Sequence, residues 1–181
     1  MRKKILWEGK KIIGVKTQKV SLEILEYQMY DNLFQIEKKK LMDILDGYYI
    51  SIEHVGSTSI PGLLAKPIID IAVGLNNFED IDIIISMMKS QYIYLENHGE
   101  TYRKLFIKKS GDFITHHIHI EEYGKQNWIN HVVFRDKLLE SEAIRNEYMD
   151  IKKSLLLKYK EDREKYTMGK AEFIQRVIDT K

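Results

Sequence analysis

The chain lacks cysteine entirely over its 181 residues, which excludes disulfide bonds, thiolate metal ligands and cysteine nucleophiles. Proline is also scarce. The two prolines are Pro61 and Pro67, and neither they nor any repeat or low-complexity segment marks a linker. No run of about 18 apolar residues predicts a membrane span, and the basic N-terminus has too short an apolar core for a signal peptide. We therefore expect one domain over residues 1–181, located in the cytoplasm.

The charge of the chain is nearly balanced, with a formal net charge of +2 at pH 7. A balance this mild does not indicate a nucleic-acid partner. The charge is unevenly spread, however, and residues 1–20 are clearly basic. Within them "KILWEGKKIIGV" predicts a hairpin that turns at Glu8 and Gly9. We expect residues 1–20 to form a basic N-terminal hairpin or arm that is solvated rather than bound to phosphate.

The hydrophobic pattern predicts both strands and helices. In chain order these are a half-buried strand in "VSLEILEY", a helix from an N-cap at Asp31 to Gly47, strands in "YYISIEHV" and "KPIIDIAVGL", an amphipathic helix over residues 78–90, strands in "YIYLE", "YRKLFIKK" and "DFITHHIHIEE", and helices in "NWINHVVFRDKL", "EAIRNEYMDIKKSLLLKYK" and "KAEFIQRVI". The predicted fold class is α+β, a mixed sheet with helices packed on one side and a C-terminal helical segment.

The stretch "IEHVGSTSIPGLLAKPIIDIAVG", residues 52–74, contains the main candidate site. Gly56 and Ser57 directly follow a strand, where a glycine lets the backbone approach a ligand and its neighbour offers an amide and a hydroxyl. This arrangement suits a phosphate, and "STSIPGLL" predicts a short helix whose N-terminus would face the same anion. Asp70 lies among isoleucine and valine on the next strand. An unpaired carboxylate is costly there, so Asp70 needs a cation or hydrogen-bond donors.

Taken singly, these residues also allow a structural interpretation, with Ser57 as a helix cap and Asp70 paired with Lys66 or an arginine. Together, a Gly-Ser pair after a strand, a turn and a strand bearing Asp resemble the nucleotidyltransferase superfamily, and the GrpB family in particular. The resemblance rests on "EHVGSTSIPGLLAKPIIDI", "HIHIEEYG", "FRDKL" and "YTMGKAEFI". It implies a nucleotidyltransferase-like fold with the substrate, a nucleoside triphosphate, between the sheet and the C-terminal helices. It also implies a divalent metal, which would be Mn, Zn or Mg.

The predicted metal site departs from the superfamily pattern. Working nucleotidyltransferases carry two carboxylates two residues apart on one strand and a third on a neighbouring strand, and these hold two divalent ions. Here Ala72 stands two residues after Asp70. His117 and His119 share one face of a neighbouring strand, and imidazoles suit transition metals better than magnesium. We therefore predict a metal site formed by Asp70, His117 and His119, with Glu121 continuing the same face. The alternative is a pair of ordinary polar or hydrogen-bonded histidines.

Cations lie where a triphosphate would need them, since guanidinium groups bind phosphate in a bidentate way and ammonium groups act as point charges. The predicted catalytic residues are Asp70, Ser57 and Lys66, and the predicted phosphate ligands are Gly56, Ser57, Arg103, Arg135 and Lys170. For Arg135 the alternative is a structural ion pair with neighbours of Asp136 or with Glu142. The other histidines, His54, His98, His116 and His131, are predicted to be ordinary polar residues.

Two functions from different classes remain open at the level of sequence. The first is a metal-dependent enzyme that transfers a nucleotidyl group from a nucleoside triphosphate to a small acceptor. The second is a catalytically degenerate module of the same fold that binds a nucleotide or a phosphorylated metabolite. A weaker third hypothesis is metal-dependent hydrolysis centred on the two histidines. In each case the expected partner is a small phosphorylated molecule, and neither a membrane nor a nucleic acid is expected.

Overall fold

The computed structural model of the protein describes residues 6–7, 11–12, 22–96 and 102–180. Its strands are β1 (Leu6–Trp7), β2 (Lys11–Ile12), β3 (Glu23–Ile24), β4 (Tyr49–Val55), β5 (Leu64–Ala65), β6 (Ile69–Leu75), β7 (Ile93–Tyr94), β8 (Arg103–Ser110) and β9 (Phe113–Glu122). Its helices are α1 (Tyr27–Ile44), α2 (Ile81–Met88), α3 (Gln126–Glu140), α4 (Glu142–Lys158), α5 (Arg163–Met168) and α6 (Ala171–Asp179). Within these ranges no helix is long and apolar enough to cross a membrane.

A five-stranded mixed sheet forms the centre of the structure, in the order β4-β6-β9-β8-β7. Strands β6 and β9 run parallel, and the other neighbouring pairs are antiparallel. Strand β6 is nearly continuous in apolar residues because it lies between β4 and β9 and is covered on both faces. The parallel register aligns Asp70 with His117 and Ala72 with His119. The two central strands therefore carry the candidate site side by side.

The two faces of the sheet have different environments because successive residues of a strand point to opposite faces. One face packs against α1 and α2. Its core consists of Tyr30, Phe34, Leu41, Leu45, Ile52, Ile69, Ile71, Val73, Leu75, Ile84, Met88, Tyr92, Phe106, Ile118 and Ile120. The other face carries Asp70 and Ala72, and α3 covers part of it where Trp128 packs on Val55 and Ala72. The α+β class with a mixed sheet is confirmed, with α1 and α2 on one face and α3 on the other.

The first helix begins earlier than the sequence pattern indicates. Helix α1 starts at Tyr27 after the N-cap residue Glu26, so the predicted N-cap at Asp31 is wrong. The reason is Tyr30, which is 1% exposed, so that the buried face of the helix extends one turn before Phe34. The preceding strand was predicted too long, because only Glu23–Ile24 pairs with β5 and both residues are exposed. Residues 20–21 lie outside the described part of the chain.

At the N-terminus, β1 pairs with β2 in antiparallel fashion. The turn predicted at Glu8 and Gly9 lies outside the described residues. At the other end of the chain, α5 was not predicted from the sequence. Its six residues are too few for a clear apolar period, although Asp162 caps the helix by accepting a hydrogen bond from the Lys165 amide at 3.1 Å.

The central strand gives a direct test of the fold. Ile71 on β6 is fully buried, whereas Ile50 on β4 is 52% exposed. We expect Ile71→Ala to lower the free energy of unfolding by about 2–5 kcal/mol, because it leaves a cavity in the core. The same change at Ile50 should lower it by less than about 1 kcal/mol. Urea unfolding measures both values, and equal losses would contradict the placement of β6.

Candidate functional site

A cavity of about 580 Å³ lies between the α3 side of the sheet and the C-terminal helices. This volume is in the range typical of small-molecule sites. The predicted site residues that line it are Gly56, Ser57, Lys66, Asp70, Arg103, His117, His119 and Lys170. They come from the sheet, from the turn after β4, from the approach to β6 and from the link between α5 and α6. The structure therefore brings together, in one concave site, residues that are far apart in sequence.

Gly56 occupies a position that only glycine fits. Its φ is +70°, a conformation that side chains with a Cβ disfavour. A Cβ on Gly56 would also lie 2.5 Å from Oδ2 of Asp70. The close approach of the β4 turn to Asp70 thus accounts for the glycine. The helix predicted after Ser57 is a single 3₁₀ turn, Ser57–Ser59, which is too short to supply a helix dipole.

Asp70 obtains a hydrogen bond from His117 of β9, and His119 of the same strand lies close to it. Its Oδ1 lies 2.8 Å from Nδ1 of His117 and 3.9 Å from Nε2 of His119. Burial alone would raise the pKa of Asp70, but the hydrogen bonds and charges of the two histidines hold it well below its ordinary value. Burial lowers the pKa of His119 to about 4, despite the nearby carboxylate. His119 is therefore neutral at pH 7, the form in which histidine binds metals.

Within the described part of the chain, five cations line the cavity. Lys66, Arg103, Lys152, Arg163 and Lys170 line it, and Asp70 is the only carboxylate among its described lining residues. Burial and the charges of Lys170 and Arg163 lower the pKa of Lys66 to about 7. Burial and Lys170 lower the pKa of Lys152 to about 7 as well. An anion in the cavity would supply the missing opposite charge.

Lys152 is the least accessible of these cations, at 1% exposure. Its Nζ donates to Oγ of Ser57 at 3.2 Å and to the carbonyl of Leu64, and it lies 4.4 Å from the ring centroid of Tyr148. Sequence analysis missed Lys152. A signal was present, because a lysine between Tyr148 and Leu155 lies on the apolar face of α4. Arg163 on the short α5 gave no such signal.

Tyr166 stands between two of the lysines. The Nζ of Lys66 lies 4.8 Å and that of Lys170 4.9 Å from its ring centroid. The Tyr166 hydroxyl is buried and has no hydrogen-bond partner within the described structure. A buried hydroxyl without a partner is unfavourable. It is therefore available to donate to an oxygen of a bound anion.

Arg135 does not line the cavity as the structure describes it. Its guanidinium donates to Oε2 of Glu53 at 2.8 Å, to Oδ1 of Asp136 at 2.8 Å and to the carbonyl of His54 at 3.2 Å. These contacts join α3 to β4. They correspond to the structural alternative for this residue, with Glu53 as the main long-range partner. We therefore leave Arg135 out of the phosphate site.

Comparison with known proteins identifies the family. Residues 21–180 match the family model described as GrpB protein. The chain belongs to the GrpB family. It is 31% identical over 173 residues to the glutamate-rich protein GrpB of Alkalihalophilus pseudofirmus, which covers 93% of this chain and 99% of that protein. It is 34% identical over 159 residues to the UPF0157 protein YqkA of Bacillus subtilis, covering 87% of this chain but only 46% of that longer protein.

Solved structures agree with this assignment. The crystal structure of the conserved protein GrpB from Enterococcus faecalis superposes with a TM-score of 0.77 at 31% identity, covering 87% of this chain and 94% of that one. The poly(U) polymerase Cid1 with bound MgGTP superposes with a TM-score of 0.51 at 12% identity, covering 76% of this chain and 45% of that one. At such low identity the second likeness shows the fold alone. This GrpB chain therefore has a nucleotidyltransferase-like fold.

The second carboxylate of a two-magnesium site has no place in this GrpB chain. Ala72 is fully buried in a cluster with Val55 and Trp128. Gly74, two residues further on, would place a Cβ 3.0 Å from the Trp128 ring. Side chains of α3 thus occupy the space next to Ala72 and Gly74, and no room is left there for a second carboxylate. The residues present do not fit two magnesium ions, whereas one carboxylate with two imidazoles suits a single transition-metal ion.

His131 is a site residue that sequence analysis missed. It was predicted to be an ordinary polar residue, but its Nε2 on α3 lies 3.2 Å from Oε1 of Glu121. The candidate ligand atoms of His119, Glu121 and His131 all lie within 4.8 Å of one another. Only the packing of α3 on the sheet brings His131 to β9. Spacing along the sequence therefore contained no signal for it.

A pair of glycine variants tests the contact between the β4 turn and Asp70. Gly56 and Gly62 have similar φ values, +70° and +73°, but a Cβ on Gly62 would meet no atom within 4 Å. We expect Gly62→Ala to lower the free energy of unfolding by about 1–2 kcal/mol through backbone strain. Gly56→Ala should lower it by about 1–3 kcal/mol more, because the methyl group collides with the carboxylate. Chemical denaturation measures both, and equal losses would contradict the close approach.

Proposed function

We propose that this GrpB protein binds a nucleoside triphosphate in the cavity and transfers its nucleotidyl group to a small acceptor with the help of a divalent metal ion. The observation that carries the proposal is the presence of five cations in the same cavity as Asp70, in a nucleotidyltransferase-like fold. A triphosphate is a small ligand with enough negative charge to match them. The acceptor would enter beside it, between the sheet and the C-terminal helices.

The chain contributes mainly by positioning and by electrostatics. Lys66 and Lys170 line the cavity on either side of Tyr166 in sequence and would pair with phosphate oxygens, and the buried Tyr166 hydroxyl would donate to one after a small side-chain movement. Ser57 is held by Lys152 at the turn nearest Asp70. Fixed donors of this kind favour the charge that develops during phosphoryl transfer without reorganisation. They also hold the triphosphate in one orientation for attack by the acceptor.

Asp70 with His117 and His119 is the proposed metal site for this reaction. A divalent ion there supplies charge neutralisation at the phosphate oxygens. His119 is neutral at pH 7 and Asp70 is ionised, so both groups are in the state that binds metals. Since the donor set has one carboxylate and two imidazoles, manganese or zinc fits it better than magnesium.

The metal preference can be tested by turnover. We expect pyrophosphate release from a panel of nucleoside triphosphates to be greater with manganese than with magnesium. His119→Ala and Asp70→Asn should each lower manganese-dependent release by at least about 100-fold, because each removes a metal ligand. Asp43 is exposed on α1, which packs on the other face of the sheet, so Asp43→Asn is the matched control. Release with magnesium that is unchanged by His119→Ala would show that the histidines play no part.

The lysine environment predicts that triphosphate affinity falls as the pH rises from about 7 to about 9. Lys66 and Lys152 have a pKa of about 7 in the free protein. Phosphate oxygens stabilise their charged forms and raise both pKa values, so the ligand binds the protonated lysines and takes up protons. Because the phosphate itself titrates near pH 6, the lysines dominate above pH 7.

Calorimetry in two buffers of different ionisation enthalpy measures the proton uptake near neutral pH. Lys66→Met should reduce it. The control is Lys153→Met, which removes an exposed lysine that pairs with Asp150 on α4. Binding without proton uptake in the wild-type protein would show that these lysines do not contact the ligand.

The alternative function is binding without turnover. The observation that favours it is Ala72, buried under Trp128 where the superfamily has its second carboxylate. In that case the triphosphate binds with the same proton uptake, but no metal supports pyrophosphate release. The turnover and calorimetric measurements together therefore distinguish an enzyme from a binding module.

A further inference from the structure

Glu121 is a fully buried carboxylate that the proposed reaction does not use. It is 0% exposed, and in the described structure neither of its oxygens has a hydrogen-bond partner. A buried carboxylate without donors is strongly unfavourable, so such groups are paired with a cation or bind a metal. Its register partner on β8 is Arg103. The Arg103 Nε is itself buried and, among the described residues, has no hydrogen-bond partner.

Two imidazoles approach the same carboxylate. His131 on α3 places its Nε2 3.2 Å from Oε1 of Glu121, and its ring centroid lies 4.8 Å from that of His119. The Nδ1 of His119 is buried and, within the described residues, has no partner. All three ligand atoms lie within 4.8 Å of one another. Three groups that can bind a metal thus converge, and among the described residues neither the Glu121 oxygens nor the His119 Nδ1 has a hydrogen-bond partner.

We propose that His119, Glu121 and His131 bind one transition-metal ion of the zinc class. Two imidazoles and one carboxylate are a ligand set that zinc accepts, with ligand bonds of about 2.0–2.2 Å. Small rotations of the side chains bring the three atoms to that distance from a common point. His119 and His131 also line the cavity. The fourth coordination position would therefore face the cavity, where water or a ligand can reach it.

His119 can take part in this site while it still faces Asp70. Its Nε2 lies 3.9 Å from Oδ1 of Asp70, on the opposite side of the ring from the unpartnered Nδ1. With Nδ1 on the metal, Nε2 carries the proton and points it toward the carboxylate. A metal-binding histidine commonly donates its other N–H to a carboxylate in this way. Asp70 then positions His119, which in this state is not a ligand of the reaction metal, so only Asp70 and His117 remain available to an ion that arrives with the triphosphate.

The site does not rest on the proposed function, so zinc alone is the probe. The full-length protein is freed of metal with a chelator and titrated with zinc in the absence of nucleotide, by calorimetry and by metal analysis after dialysis. We expect one ion per chain. Glu121→Gln should weaken binding by at least about 100-fold, because it replaces a metal ligand. Glu122→Gln changes the neighbouring carboxylate, which is partly exposed on the opposite face of β9, and should leave zinc affinity unchanged.

Asp70→Asn separates this site from the metal site of the proposed reaction. We expect it to weaken zinc binding by only about 10-fold, the loss typical of a group that orients a ligand. Wild-type protein that binds no zinc would overturn the proposal, and so would loss of binding in Asp70→Asn with retention in Glu121→Gln. Circular dichroism checks that each variant folds. If Glu121→Gln does not fold, His131→Asn on the cavity wall should show the same loss.

Discussion

The hydrogen bond between Asp70 and His117 is the contact on which the arrangement of the site depends. It forms because β6 and β9 run parallel with these two residues in register. An ionised carboxylate on a central strand is tolerated only with donors of this kind. The contact also constrains the neighbouring turn, since Gly56 can lie against Asp70 only without a Cβ. The partly buried charge of Asp70 is therefore accommodated by three features together: the parallel pairing of β6 and β9, the glycine in the turn after β4, and the histidines of β9.

The cations that line the cavity disfavour one another's charge. Lys152 is buried and Lys66 is half-buried, and burial together with neighbouring positive charges lowers the pKa of each to about 7. Such crowding does not stabilise the folded chain, because each cation disfavours the charge of the others. The crowding becomes favourable only when an anion enters the cavity. The cavity therefore resembles a ligand-binding site, in which lost folding stability is offset by affinity for the ligand.

Strand periodicity predicted that His117 and His119 share a face, because residues two apart on a strand do so. Placing Asp70 beside them also needed the resemblance to the nucleotidyltransferase superfamily, which implied that the two strands are neighbours, as the structure has them. The helix side could not be predicted in the same way. His131 reaches the cavity only through the packing of α3 on the sheet. Lys152 left a signal on the apolar face of α4, but its partners Ser57 and Leu64 follow only from the tertiary structure. The start of α1 was predicted too late, at Asp31. Tyrosine occurs throughout this chain, so Tyr30 did not stand out as part of the buried face of the helix.

The distribution of charge in the cavity would orient a ligand that carries phosphates. Asp70 and Arg103 belong to the sheet, whereas Lys152, Arg163 and Lys170 belong to or adjoin the C-terminal helices. Phosphate oxygens are attracted to the cations and repelled by Asp70, so close to Asp70 they need a cation between. Under the proposed function, a metal ion at the histidines would supply that cation. Metal and phosphate binding would then be interdependent, because each would offset the repulsion that the other meets alone.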